Sequence, residues 1–106
     1  MKRLTISMLA LLAAGPAFAQ PPLNTCEEIP DLATLVMTRR QVNYDIMLMI
    51  NYMNAEYSDY PELMTWAQAM IDMAYTEPMQ EDPELRQKQL KDFVKRWQER
   101  CEATHS

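Results

Sequence analysis

The sequence predicts an all-α fold, a compact array of about four short helices whose first and last members are joined by a Cys26–Cys101 disulfide. Three observations carry that expectation. The only glycine is Gly15, and a β-rich domain of this size draws on glycines for its tight turns. Apolar residues recur at spacings of three and four through most of the chain after Thr25, the period of helices with one buried face. The two cysteines fall on two such stripes, one early and one late.

Each helix has its own local signals. Thr25-Cys26-Glu27-Glu28 has capping-box spacing, with Thr at the cap and Glu three residues on. Pro30 offers an alternative start there or at Asp31. Cys26, Ile29, Ala33 and Val36 share one face, with Leu32 and Leu35 beside it, and the helix is expected to end near Gln41. Asn43 suits a left-handed turn, and Asp45 is placed to cap a second helix with the stripe Ile46, Met49, Ile50, Met53 and Tyr57. Ser58-Asp59-Tyr60-Pro61 breaks that helix and starts a third, where Leu63, Trp66, Ala67, Met70, Ile71 and Ala74 give the clearest periodicity in the chain. Residues 76–81 read as a loop around Pro78. Asp82-Pro83-Glu84 then opens a last helix with the stripe Leu90, Phe93, Val94, Trp97 and Cys101.

The N-terminal segment reads as a secretory signal. Lys2 and Arg3 form a positive start, Leu4 to Ala14 an apolar run, and Ala17-Phe18-Ala19 a small-x-small cleavage site. The apolar run is about 11 residues, against the roughly 20 needed to span a bilayer. The expected organisation is a cleaved signal over 1–19, an extended arm over 20–24, a single helical domain over 25–101 and a flexible tail over 102–106. Export to the periplasm or beyond provides an oxidising compartment, in which two cysteines can pair in only one way. No Cys-x-x-Cys points to metal or redox chemistry instead.

Cleavage leaves 8 basic and 15 acidic residues, a net charge of −7. That balance argues against nucleic acid and anionic membrane surfaces as partners, both of which reward clustered lysine and arginine. Carboxylates that acid–base catalysis would need are offered by Glu27-Glu28, Glu56 with Asp59, and Glu81-Asp82-Glu84. All lie at expected helix ends, where caps and solvated turns account for them. The single histidine, His105, lies close to the end of the sequence, so no Ser-His-Asp or Cys-His arrangement has a base. No enzyme activity and no cofactor are expected.

Two residue classes stand out. Methionines are abundant, and Met49, Met53, Met70 and Met73 fall at spacings that pair them on helix faces; soft thioethers of this kind can bind Cu(I). The same side chains also complete apolar stripes and fill irregular cores. Tyr44, Tyr52, Tyr57, Tyr60 and Tyr75 crowd the middle of the chain, and tyrosine is enriched in protein contact surfaces. They are the expected protein-binding residues.

Through Thr25-Cys26-Glu27-Glu28, two cysteines and an export signal, the chain resembles the periplasmic acid-stress chaperones of enteric bacteria. It departs from them in a disulfide that spans nearly the whole domain and in lacking a lysine-rich second half. Through Arg40-Gln41, Ala74-Tyr75-x-x-Pro78 and the segment Phe93 to Cys101, it is similar to uncharacterised small exported two-cysteine proteins of bacterial and tailed-phage genomes. The likeness covers most of residues 25–101. It implies the scaffold and no activity. The expected function is a non-enzymatic periplasmic protein that binds another envelope protein, with a phage-derived role in lysis modulation, superinfection exclusion or hydrolase inhibition. An acid-stress chaperone and a Met-rich copper-binding protein are the alternatives, and a homodimer is open to any of them.

Overall fold

The computed structural model describes residues 25–105. The signal-peptide and extended-arm readings fall on residues 1–24, outside the described residues. Four helices follow: α1 (Thr25–Gln41), α2 (Ile46–Tyr57), α3 (Pro61–Ala74) and α4 (Pro83–His105). None is long and apolar enough to cross a membrane among the described residues.

Local chemistry sets most of the helix ends. The α1 helix closes in a Schellman motif: Asn43 N–H donates to Arg40 O at 2.9 Å, Tyr44 N–H donates to Arg39 O at 3.0 Å, and Asn43 takes φ 60°. Asp45 then caps α2 by accepting from Met47 N–H at 2.7 Å. Pro61 stands at the start of α3, where its missing N–H costs nothing. Asp82 accepts from Glu84 N–H at 2.8 Å at the start of α4. The start of α1 is at Thr25, so the helix runs through Pro30 instead of beginning there. The turn ahead of the proline is held by tertiary bonds, the Cys26–Cys101 disulfide and a hydrogen bond from the Thr25 hydroxyl to Glu62 Oε1 at 3.0 Å.

The far end also differs from expectation. Residues 102–105 continue α4 past Cys101, in place of the expected flexible tail. Residues 102–105 contain no glycine or proline that would stop the helix. Thr104 Oγ1 donates to Arg100 O at 2.9 Å and Gln98 Nε2 to Glu102 at 2.8 Å, both along the helix.

Inter-helix bonds give the arrangement. Cys26 with Cys101 at one end, and Gln41 Nε2 donating to Arg86 O at 2.8 Å at the other, make α1 and α4 antiparallel. Thr25 with Glu62, and Arg40 with Ala74 O, make α1 and α3 parallel. The α1 helix thus lies between α3 and α4, while α2 packs on the other flank of α3. A single core joins all four: Ile29, Ala33, Val36 and Met37 from α1, Met49 and Met53 from α2, Leu63, Ala67, Met70 and Ile71 from α3, Phe93, Trp97 and Cys101 from α4. Trp97 meets Trp66 edge-on with ring centres 6.0 Å apart, and Phe93 at 6.1 Å. Cys101 is fully buried and Cys26 half-buried, so the disulfide clasps the two ends of the fold at the core's edge.

Candidate functional site

The five tyrosines do not form one open face. All are half-buried and packed against the core. Arg39 and Arg40, in the last turn of α1, organise three of them. The Arg39 guanidinium lies 5.1 Å from the Tyr44 ring centre and 5.7 Å from that of Tyr52. Arg40 lies 5.2 Å from the Tyr75 ring centre and also donates to Ala74 O and Glu77 O, neutralising the carbonyl-rich end of α3. The Tyr75 hydroxyl donates to Tyr44 O at 2.6 Å, which ties the end of α3 to the α1–α2 turn. Tyr57 and Tyr60 flank the α2–α3 turn instead. Much of the tyrosine surface expected for a partner is therefore spent holding helix ends together.

Burial raises the Tyr57 phenol above the ordinary tyrosine value, and Tyr52, Glu56, Glu28 and Asp31 push it the same way. Burial also raises Tyr75, against the opposing pull of Arg40. A raised folded-state value makes the stabilisation fully present below the unfolded tyrosine value, and it is lost as pH rises through the folded one. At the acid end Asp92 is shifted downward by its hydrogen bond from Lys88 at 2.6 Å. That contribution is lost as pH falls, and the pair is exposed, so it is small. None of the described carboxylates is buried. The urea midpoint is expected to fall above about pH 10, while helicity measured by circular dichroism persists at about pH 3. A midpoint that holds through tyrosine ionisation would show that Tyr57 and Tyr75 are not structural.

Three of the four methionines singled out in sequence are core. Met49, Met53 and Met70 are at most 1% exposed. Met73 is half-buried, and its sulfur receives the Arg96 guanidinium at 3.6 Å, a cation where a copper ion would need to bind. Packing explains the three buried members of the quartet. The acids singled out in sequence lie at helix ends and turns: Glu27, Glu56, Asp59, Glu81, Asp82 and Glu84 are exposed and Glu28 half-buried. Among the described residues, no group of His, Cys, Asp and Glu has the spacing of a metal site.

The surface that stands out lies at the α1–α2 corner, and three of its four residues were not singled out in sequence. Val42 is 70% exposed, Met47 59%, Leu48 52% and Ile46 36%. Single exposed apolar residues are ordinary, but here four fall within seven positions. No charge interrupts the run Ile46 to Ala55, so α2 offers an uncharged outer face on an otherwise acidic chain. The signal was legible: Met47 and Leu48 are apolar residues off the α2 stripe, where a solvated helix would carry charge. Comparison with protein-family models, curated proteins and solved structures finds no match.

Proposed function

We propose that this chain is a non-enzymatic periplasmic protein that binds another envelope protein, and that the α1–α2 corner is the binding face. The exposed quartet Val42, Ile46, Met47 and Leu48 carries this reading. It is apolar, borders the exposed cap Asp45 and adjoins the Arg39–Tyr44–Tyr52 stack, which ties the corner to the end of α1. A preordered apolar face loses little conformational freedom on docking. The disulfide supports an oxidising compartment, since such bonds persist where thiols are not kept reduced. Modulation of lysis, exclusion of a second infection and inhibition of a cell-wall hydrolase all fit a small rigid binder, and the partner's identity chooses among them.

The test is capture from periplasmic extract on the immobilised chain, compared with the Met47→Asp/Leu48→Asp variant. The wild type is expected to retain a stoichiometric protein. The variant should bind it at least about thirtyfold more weakly, as for loss of a central apolar anchor. Because both positions face solvent, the variant's folding stability should change by no more than about 0.5 kcal/mol. No stoichiometric partner, or one held equally by the variant, would overturn the proposal. An acid-triggered chaperone would instead require loosening at low pH, which a native near-ultraviolet circular dichroism spectrum retained at about pH 3 would contradict.

A further inference from the structure

A second surface lies on the opposite helix pair and shares no residue with the α1–α2 corner. Between α1 and α4 runs an open groove of about 420 Å³, floored by Pro30, Thr34, Leu90 and Val94. Along it, α4 carries an exposed stripe of charge, Lys88, Lys91, Lys95, Glu99 and Glu102; Lys91, Lys95 and Glu99 line the groove itself, while Lys88 also holds Asp92 at 2.6 Å. The spacings along this stripe are three, four, four and three, which keeps all five on one helical face. The pattern has a direction, lysine toward the start of the helix and glutamate toward its end. It is also symmetric about Lys95. Turned antiparallel on itself, the stripe places Lys88 opposite Glu102 and Lys91 opposite Glu99, and each pairing occurs twice.

We infer that the α1–α4 groove is closed by a second copy of this chain, packed two-fold and antiparallel along α4. Leu90 and Val94 of each copy then cover the apolar floor of the other, and the charge stripes pair along its edge. A foreign acidic helix would meet the lysines but be repelled by Glu99 and Glu102, and a basic one would suffer the reverse. Only a partner whose charge runs in the opposite order satisfies both halves, and a second copy supplies it by symmetry. The two Lys95 side chains lie nearest the axis, where their flexible stems carry the ammonium groups apart toward Glu99 of the other copy. Such a dimer would present two α1–α2 corners, so a partner with repeated sites would be held by avidity as well as by contact.

Sedimentation equilibrium of the disulfide-bonded chain tests this with three variants. The wild type is expected to show a concentration-dependent monomer–dimer equilibrium. Lys91→Glu alone and Glu99→Lys alone should each raise the dimer Kd at least about tenfold, because each sets like charges opposite one another twice. The double reversal Lys91→Glu/Glu99→Lys should restore it to within about threefold of wild type. Both positions are exposed, so the variants should keep the wild-type circular dichroism spectrum. A wild-type chain that is monomeric at every concentration overturns the inference. So does a dimer indifferent to the single reversals, or one that the double reversal does not rescue.

Discussion

Reducing the Cys26–Cys101 bond is expected to lower the thermal midpoint by about 15 to 30 °C. The two cysteines are 75 positions apart, so the bond removes nearly the whole domain's freedom from the unfolded ensemble. The chain-entropy relation assigns such a loop roughly 4 to 4.5 kcal/mol. A domain of this size has a total stability on the order of 4 to 12 kcal/mol, so the bond accounts for a third of it or more. The native state also depends on it locally. Pro30 lies inside α1 and supplies no backbone N–H to the helix, and the disulfide fixes the turn ahead of it against α4. The check is a melt of the oxidised chain against the same chain in a strong reductant, repeated with Cys26→Ala/Cys101→Ala. If both forms melt within a few degrees of the oxidised protein, the bond is ornamental and the core alone sustains the fold.

Phe93→Ala is expected to destabilise the fold by about 3 to 5 kcal/mol. Phe93 is wholly buried and packs against Trp97, which in turn meets Trp66 from α3. Removing the ring leaves a cavity where α4 closes on the other helices, and the rigid neighbouring indoles cannot collapse into it. Urea unfolding followed by circular dichroism measures the loss, and tryptophan fluorescence reports the loosened contact at Trp97. Leu85→Ala is the control, since that side chain is 51% exposed and its removal should cost no more than about 0.5 kcal/mol. A Phe93→Ala cost near that of the control would mean that α4 is held by the disulfide and not by packing. In the reduced chain the same substitution should leave no cooperative transition, because the two losses together approach the whole stability.

The helices were legible because their signals are local. Asn43, Asp45, Pro61 and Asp82 each act within a few residues, and each stands at the expected helix boundary. The core was legible too: Ile29, Ala33, Met53, Ala67, Met70 and Phe93 all come from the apolar stripes. The start of α1 and the end of α4 were less so. At Thr25 the deciding bonds come from Glu62 and Cys101, distant in sequence, and at Cys101 nothing in the residues that follow ends the helix.

The tyrosines mark where local reading stopped. Composition placed Tyr44, Tyr52 and Tyr75 among contact residues, but Arg39 and Arg40 occupy their rings, and Tyr75 spends its hydroxyl on a backbone carbonyl. An aromatic ring's availability depends on which cation reaches its face, and residue spacing alone does not report that. Met47 and Leu48 are the converse, apolar side chains left outside because, among the described residues, α2 packs mainly against α3.

By itself the sequence determined that this protein is helical, where its helices lie, which face of each is buried and which cysteines pair. Those properties follow from period, capping chemistry and the presence of only two thiols. The tertiary structure alone decided that α1 sits between α3 and α4, that α1 and α3 run parallel, and that the α1–α2 corner remains uncovered. The physical reason is that periodicity tells a helix which face to bury without naming the neighbour that buries it.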